Sequence, residues 1–354
     1  MKVESGKRKA IGLICVSIAL HFPLSTFHSL KAQVAGLNTL TVLDLPGTAR
    51  TAGLGFDYLA VYGDDLTVGI GNPSLLRQTM GGTGVLSVVP MFSGGTMGML
   101  SYAHTFSHLG TVSFGFHFMN YGSFQEYDEE ETYRGRFSAS EYMLTVGWGI
   151  WLDSNFTVGV NFKPVLSQYE RYTSVALAFD VAGSYVSTDR SFAATVMARN
   201  VGSQILTFDE TVEKLPFELS AELSYKLKNA PFRLFFAAEE LQRWDLRYED
   251  PLHPSSETDP FTGEVTRESW FAGTFDNLMR HAQFGVELNL GRALFARVGY
   301  SWRQTAEMRG VDAFNMSGFS FGFGLKTRRF EFSFARRNYH LVQAPNYLTL
   351  TYRF

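Results

Sequence analysis

Cysteine is almost missing from this chain: the one residue, Cys15, lies within its first apolar stretch. That excludes a disulfide framework and any thiolate metal cluster. Long hydrophobic runs are missing too. Beyond the first 32 residues nothing approaches the roughly 20 consecutive apolar residues that a spanning helix needs. Basic charge is scarce, with 31 Lys and Arg against 34 Asp and Glu, a formal net of −3. A nucleic-acid partner would call for a basic surface, so none is expected. The eight histidines are scattered, and no metal or cofactor site is expected from them.

What the chain has in quantity is aromatic residues and glycine: 32 Phe, 16 Tyr and 33 Gly, at a mean hydropathy of −0.05. Greasy side chains without greasy runs suit many strands in which every second residue is polar.

Residues 1–32 read as a secretory signal. Lys2, Lys7, Arg8 and Lys9 form a basic start, Ala10 to Leu20 is apolar, and small residues at Ala32 or Ala35 offer cleavage sites. Ile14 before Cys15 does not suit lipidation. Removing 1–32 takes away five basic residues and one acidic residue, leaving 26 against 33 and a net of −7. Residues 33–82 are irregular and are expected to form an N-terminal plug with one short helix near Ala49 to Ala60. From residue 83 to 354 the pattern alternates with period two.

Alternation is plain in Val112 to Phe118, in Phe217 to Lys226, and in the Phe-rich runs Phe319 to Leu325 and Phe330 to Ala335. Successive side chains of a strand point to opposite faces, so each run has one apolar and one polar side. The reading gives fourteen strands, near 83–91, 96–105, 111–121, 140–152, 156–168, 173–186, 191–201, 217–227, 232–247, 282–290, 294–303, 317–325, 329–337 and 346–354. Links after every second strand are short, and the intervening ones (122–139, 202–216, 248–281, 304–316) are long. That parity is expected of a transmembrane, antiparallel, up-and-down β-barrel of 14 strands in an outer membrane. Leu348, Leu350, Tyr352 and the terminal Phe354 share one face of the last strand, and such an aromatic end resembles the signal read by outer-membrane assembly machinery.

A basic side chain facing mid-bilayer lipid costs about 2–4 kcal/mol. Glu218, Glu222, Arg233, Glu239, Glu287 and Arg297, with Asn161 and Lys163, are therefore expected inside, as a solvated or ion-paired lumen. Pro90 and Pro164 are expected at strand margins or bulges, where a missing N–H is tolerated.

Two motifs precede the barrel: Leu45-Pro46-Gly47-Thr48-Ala49-Arg50 and, after Asp64-Asp65, Asn72-Pro73-Ser74-Leu75-Leu76. Their plain reading is a polar insert filling the lumen, with Arg50 paired to Glu218 or Glu222. Together with fourteen strands they resemble the PorQ family of the Bacteroidota type IX secretion system. PorV-like subunits and the long-chain fatty-acid transporters are similar in having fourteen strands and an N-terminal hatch. The resemblance implies a non-enzymatic subunit that anchors a PorZ-like surface protein, alongside PorU and PorV-like subunits. The long outer loops would be its docking surface. The run Asp128-Glu129-Glu130-Glu131 is then a candidate contact or cation site, although such a run is more often a solvated loop.

The alternative implied by the transporter likeness is a channel for hydrophobic compounds. It would need an apolar pocket beneath the outer loops and a lateral opening or kinked strand. A membrane-embedded hydrolase would need Ser, His and a carboxylate on one face. His104 and His117 near Ser101 and Ser113 are its only material, and Ser and His alternate through any polar lumen.

Overall fold

The computed structural model describes residues 40–354, apart from 92–93, 210, 248–255, 259–264, 268, 292, 309–315 and 339–343. The expected signal lies outside these residues, as do parts of the outer loops 248–281 and 304–316.

Alternation becomes a closed antiparallel barrel of fourteen strands. They are β1 Thr83–Pro90, β2 Thr96–Phe106, β3 Gly110–Tyr127, β4 Tyr133–Trp151, β5 Phe156–Tyr169, β6 Tyr172–Val186, β7 Phe192–Leu206, β8 Glu218–Lys226, β9 Phe232–Ala238, β10 Ala282–Leu290, β11 Leu294–Ser301, β12 Phe319–Lys326, β13 Phe330–Arg337 and β14 Asn346–Arg353. Each pairs with its sequence neighbour, and β1 closes on β14 from Thr83↔Arg353 to Val88↔Leu348. Closure leaves no unpaired edge to face lipid. The face carrying Leu144, Val146, Trp148 and Ile150 on β4 is exposed, and the face carrying Met143, Thr145 and Gly147 is buried. The same sorting runs round the wall, with Leu348, Leu350 and Phe354 outward on the last strand. Among the described residues no helix is long and apolar enough to cross a membrane.

Among the described residues four short α-helices accompany the wall: α1 Ala49–Leu54 and α2 Leu66–Gly71 inside it, and α3 Trp270–His281 and α4 Trp302–Glu307 in the outer connections. A small hairpin pairs Ser256–Thr258 with Val265–Arg267.

The wall is of unequal height. Strands β3 to β7 run 14 to 19 residues, whereas β8 to β14 run 7 to 9. Several expectations change accordingly. Most of 122–139 is a two-stranded ribbon rather than a loop: β3 and β4 stay paired to Tyr127↔Tyr133, across register shifts at Asn120/Ser123 and Glu126/Tyr127. The expected strand 232–247 ends at Ala238, because Glu240 takes φ 55° and turns the chain. Loop parity is not strict either. The outer link between β5 and β6 is only Glu170-Arg171, since those strands carry the height themselves. Pro90 does end β1, but Pro164 lies inside β5, at no bulge.

Candidate functional site

The plug enters the described chain near the outer mouth. Val42 N–H donates to Glu141 Oε2 at 2.8 Å, and Glu141 also accepts from Tyr121 and Tyr169, at the top of β3 and β5. The plug leaves at the opposite rim, where Gly82 joins β1. Between these ends, a 3₁₀ turn at Thr41–Leu43 precedes Pro46, and Thr48 caps α1 by accepting from Thr51 N–H. Gly55, at φ 82°, ends the helix in a left-handed turn that a side chain would strain. The small face of α1 lies directly on the wall: Gly53 meets Gly322, and the Leu54 carbonyl sits where a Cβ on Gly299 would stand. Asp65 caps α2 through Thr67 N–H at 2.9 Å. Asn72 donates to Leu59 O at 3.2 Å and Thr195 Oγ1 at 3.0 Å. Pro73, first in a 3₁₀ turn, presses against Gly149 and Gly159.

Arg50 is buried and pairs with Asp65 at 2.5 Å and Glu287 at 3.1 Å, not with Glu218 or Glu222 as expected. Glu287 is shared with Arg297 at 2.8 Å. Arg233 faces the same lumen and donates to Ser224 Oγ at 3.3 Å. Glu218 belongs to a second network: Arg199 bridges it at 2.9 Å and Asp57 at 2.8 Å, while Arg337 reaches Asp57 at 3.3 Å. Glu239 faces Arg303 at 3.6 Å. Asp57, Glu218 and Glu239 stand within 4.8 Å of one another, but three guanidiniums answer these three carboxylates, which makes the cluster an ion-pair network. Glu222 is buried, and neither of its oxygens has a hydrogen-bond partner among the described residues.

In the plug, burial works against the charges of Asp57 and Asp65. The guanidiniums beside them (Arg199 and Arg337, and Arg50) outweigh it and hold both carboxyls below their ordinary range. At the periplasmic end, Tyr62 lies between Arg77 (3.9 Å) and Arg190 (4.7 Å), a cation–π clasp between plug and barrel turn. Sequence reasoning missed Asp57, Arg199 and Arg337. The two arginines sit on inward-facing strand positions, so parity could have found them.

The acidic run occupies the tip of the β3–β4 ribbon. Hydrogen bonds from Thr132, Arg134 and Glu130 keep the Asp128 carboxyl below its usual value, and Glu129, Glu130 and Glu131 are exposed. The ribbon's inward face is aromatic: Phe124 stacks on Phe137 at 5.3 Å, and below them Tyr121 meets Tyr169 at 5.8 Å and Tyr169 meets Phe208 at 5.2 Å. Beneath these rings Leu40, Val42, Leu43, Met143, Val165, Ala176, Ala178 and Leu215 form an apolar cluster in the upper lumen. Lower still is a cavity of about 60 Å³ between plug and wall, with the apolar Val42, Ile70, Met99 and Met143 on its lining beside the polar His117, Lys163, Asp57, Asp180 and Arg199. Lys163 is held by Asp180 at 2.6 Å and Asn200 at 3.2 Å. Beside this cavity the β4–β5 ladder is interrupted between Met143↔Val165 and Val146↔Phe162. Pro164 has no N–H to give there.

The hydrolase constellation does not assemble. His104 is on the outer face, edge-on to Phe106 at 4.6 Å, and His108, four residues on, is exposed in the next turn. Ser101 and His117 face the lumen without hydrogen-bond partners among the described residues, and no carboxylate orients the imidazole. The letters Gly318-Phe319-Ser320-Phe321-Gly322 spell G-x-S-x-G. Residues 319–322 lie on strand β12 and Gly318 in the turn before it, whereas a nucleophile elbow needs a strand-to-helix turn.

No family model matches the chain, and no curated protein matches it. Its shape is similar to solved structures. The P. putida toluene transporter TodX is 13% identical, with a TM-score of 0.52 over 88% of this chain and 98% of that one. The monoaromatic hydrocarbon channel CymD is 12% identical, with a TM-score of 0.50 over 90% and 99%. At such identities the likeness is one of fold: an outer-membrane barrel of fourteen strands with helices lodged before its first strand.

Proposed function

We propose that this barrel is a channel for small hydrophobic compounds. The observation that carries the reading is the apolar upper lumen, Leu40, Val42, Leu43, Met143 and Val165, where the interior of a water-filled porin would be polar. Around it lies a path. The rings of Phe124, Phe137, Tyr121 and Tyr169 line the mouth, the apolar cluster follows, and the cavity ends beside the interrupted ladder at Pro164. The cavity is smaller than the roughly 150 Å³ that holds a benzene ring in an apolar protein core. Passage of a ring therefore requires the plug segment near Val42 to Gly47 to yield. The fold likeness to channels named for toluene and monoaromatic hydrocarbons supports the same reading.

Uptake of labelled toluene by cells carrying the protein tests it. Met143→Lys places a charge in the apolar cluster and should lower uptake at least tenfold, with the barrel still folded. Equal uptake by the variant, or none above empty cells for the unaltered protein, would remove this reading.

A second reading is anchoring of a PorZ-like surface partner, as in a PorQ-type subunit of the type IX secretion system with PorU and PorV-like neighbours. The observation favouring it is the ribbon of residues 121–138, which rises beyond the wall and carries Asp128 to Glu131 at its tip. Deleting only the tip, residues 127–133, which spares Phe124 and Phe137, and measuring retention of surface protein separates the two readings. Only the anchor requires the tip.

A further inference from the structure

Helix α3 is built inside out for a surface in water. Ser269 caps it, accepting from Ala272 N–H at 3.2 Å, and His281 leads straight into β10. Apart from Thr274, its polar side chains are turned toward the protein. Asn277 accepts from Leu246 N–H at 2.9 Å and donates to Trp244 O at 2.6 Å. His281 lies 2.7 Å from Glu239 O and 3.1 Å from Trp244 O. Asp276 accepts from Trp302 Nε1 at 2.9 Å and pairs with Arg280 at 2.8 Å. The apolar side chains Phe271, Phe275 and Leu278, spaced i, i+4, i+7, point away from all of this. Phe271 is 72% exposed, Trp270 at the helix start 82%, and Trp244 beside it 72%. No exposed position of α3 carries a charge.

We infer that α3 lies in the outer membrane surface with this face in the acyl chains of the outer leaflet. Two observations name lipid as the occupant. The first is continuity. Three residues after α3 ends, Phe284 on β10 is in the lipid-facing band, 5.4 Å from Phe236 on β9. The helix face extends a surface that already meets lipid. The second is height. Strand β9 has seven residues; at about 3.3 Å per residue and a tilt of about 40–45° it covers roughly 17 Å of an apolar band of about 25 Å. The shortfall of about 8 Å is close to the 10–12 Å thickness of one helix lying flat. Polar side chains inward and apolar ones outward is also the rule that sorts the barrel wall itself. This inference stands on the barrel alone and is independent of what passes through it.

The test uses the full chain in phosphatidylcholine vesicles. In a Cys15→Ser background, an environment-sensitive fluorophore is attached at Phe275→Cys, at Leu278→Cys and, as a water-exposed reference, at Thr132→Cys on the ribbon tip. Vesicles of bromine-labelled lipid should dim the probes at 275 and 278 at least twofold and leave that at 132 unchanged. Iodide in the buffer should do the reverse. Probes at 275 and 278 that iodide quenches as strongly as the one at 132, with no response to brominated lipid, would overturn the inference. So would a disulfide-linked dimer through Leu278→Cys, which would assign the face to a second copy. Should both variants fail to fold, the native tryptophans answer: Trp270→Phe should lose a lipid-quenched part of the emission, and no loss would likewise overturn it.

Discussion

Gly299 on β11 is the position where the seating of the plug is most open to attack. A Cβ added there would lie well inside contact distance of the Leu54 carbonyl carbon and oxygen, and near Ser320 Oγ at 2.6 Å. Two of those three atoms are backbone, so no rotamer change relieves the clash. Restoring a normal separation of about 3.5 Å requires α1 and the wall to part by more than an ångström. Overpacking of this kind costs about 1–3 kcal/mol, and the movement also stretches the Arg50–Glu287 pair one turn away. Gly183 on β6 is the matched control. It is a wall glycine with nothing within 4 Å of its added Cβ and no left-handed backbone. Alanine there should be neutral or should stabilise by about 0.4–1 kcal/mol through the unfolded chain.

The assay is thermal unfolding of the purified barrel in detergent, together with protease cleavage of the plug. Gly299→Ala should unfold at lower temperature and expose plug sites, and Gly183→Ala should do neither. Equal behaviour of the two variants would refute the claim that backbone contact, rather than strand glycine content, seats the plug.

Other outcomes follow from the ion pairs. Arg50→Met leaves Asp65 buried without its cation and removes one of two from Glu287. A loss of about 3–5 kcal/mol is expected, read as the denaturant midpoint. The lowered carboxyls of Asp57 and Asp65 set the acid response. Both are ionised in the folded and unfolded chain from pH 8 to 5, so their contribution is fully present there. It falls away only below the ordinary value near 4, as the unfolded carboxyls and then the folded ones take up protons. Plug protection from protease should be flat to pH 5 and collapse in stronger acid; a collapse centred near pH 6.5 would contradict it. Deleting the ribbon tip, residues 127–133, should leave the barrel's melting unchanged, since Tyr127 and Tyr133 pair only with each other.

The wall was legible because lipid outside and plug inside impose period two on every strand, and Phe319 to Leu325 or Phe217 to Lys226 can satisfy that in only one way. The ribbon was not. Beyond Asn120 no lipid enforces the alternation, and two register shifts break what remains. Nor was the partner of Arg50 legible. Glu218, Glu222 and Glu287 all point inward, and only their depth along the lumen decides which one meets the helix. Helix α3 had a signal that went unread: Ser269 as cap and Phe271, Phe275 and Leu278 at helical spacing, inside a stretch taken as loop. Alternation carried past Ala238 hid it, because that reading made the ninth strand tall enough without help.

The seam between β1 and β14 closes the cylinder around the plug. Residues 40–82 precede the first strand and contact the last, as when Ala49 N–H donates to Thr349 Oγ1 across 300 positions. A finished cylinder would have to be threaded from one end to receive them. Lodging this segment among the strands before the final pair zips shut avoids that threading.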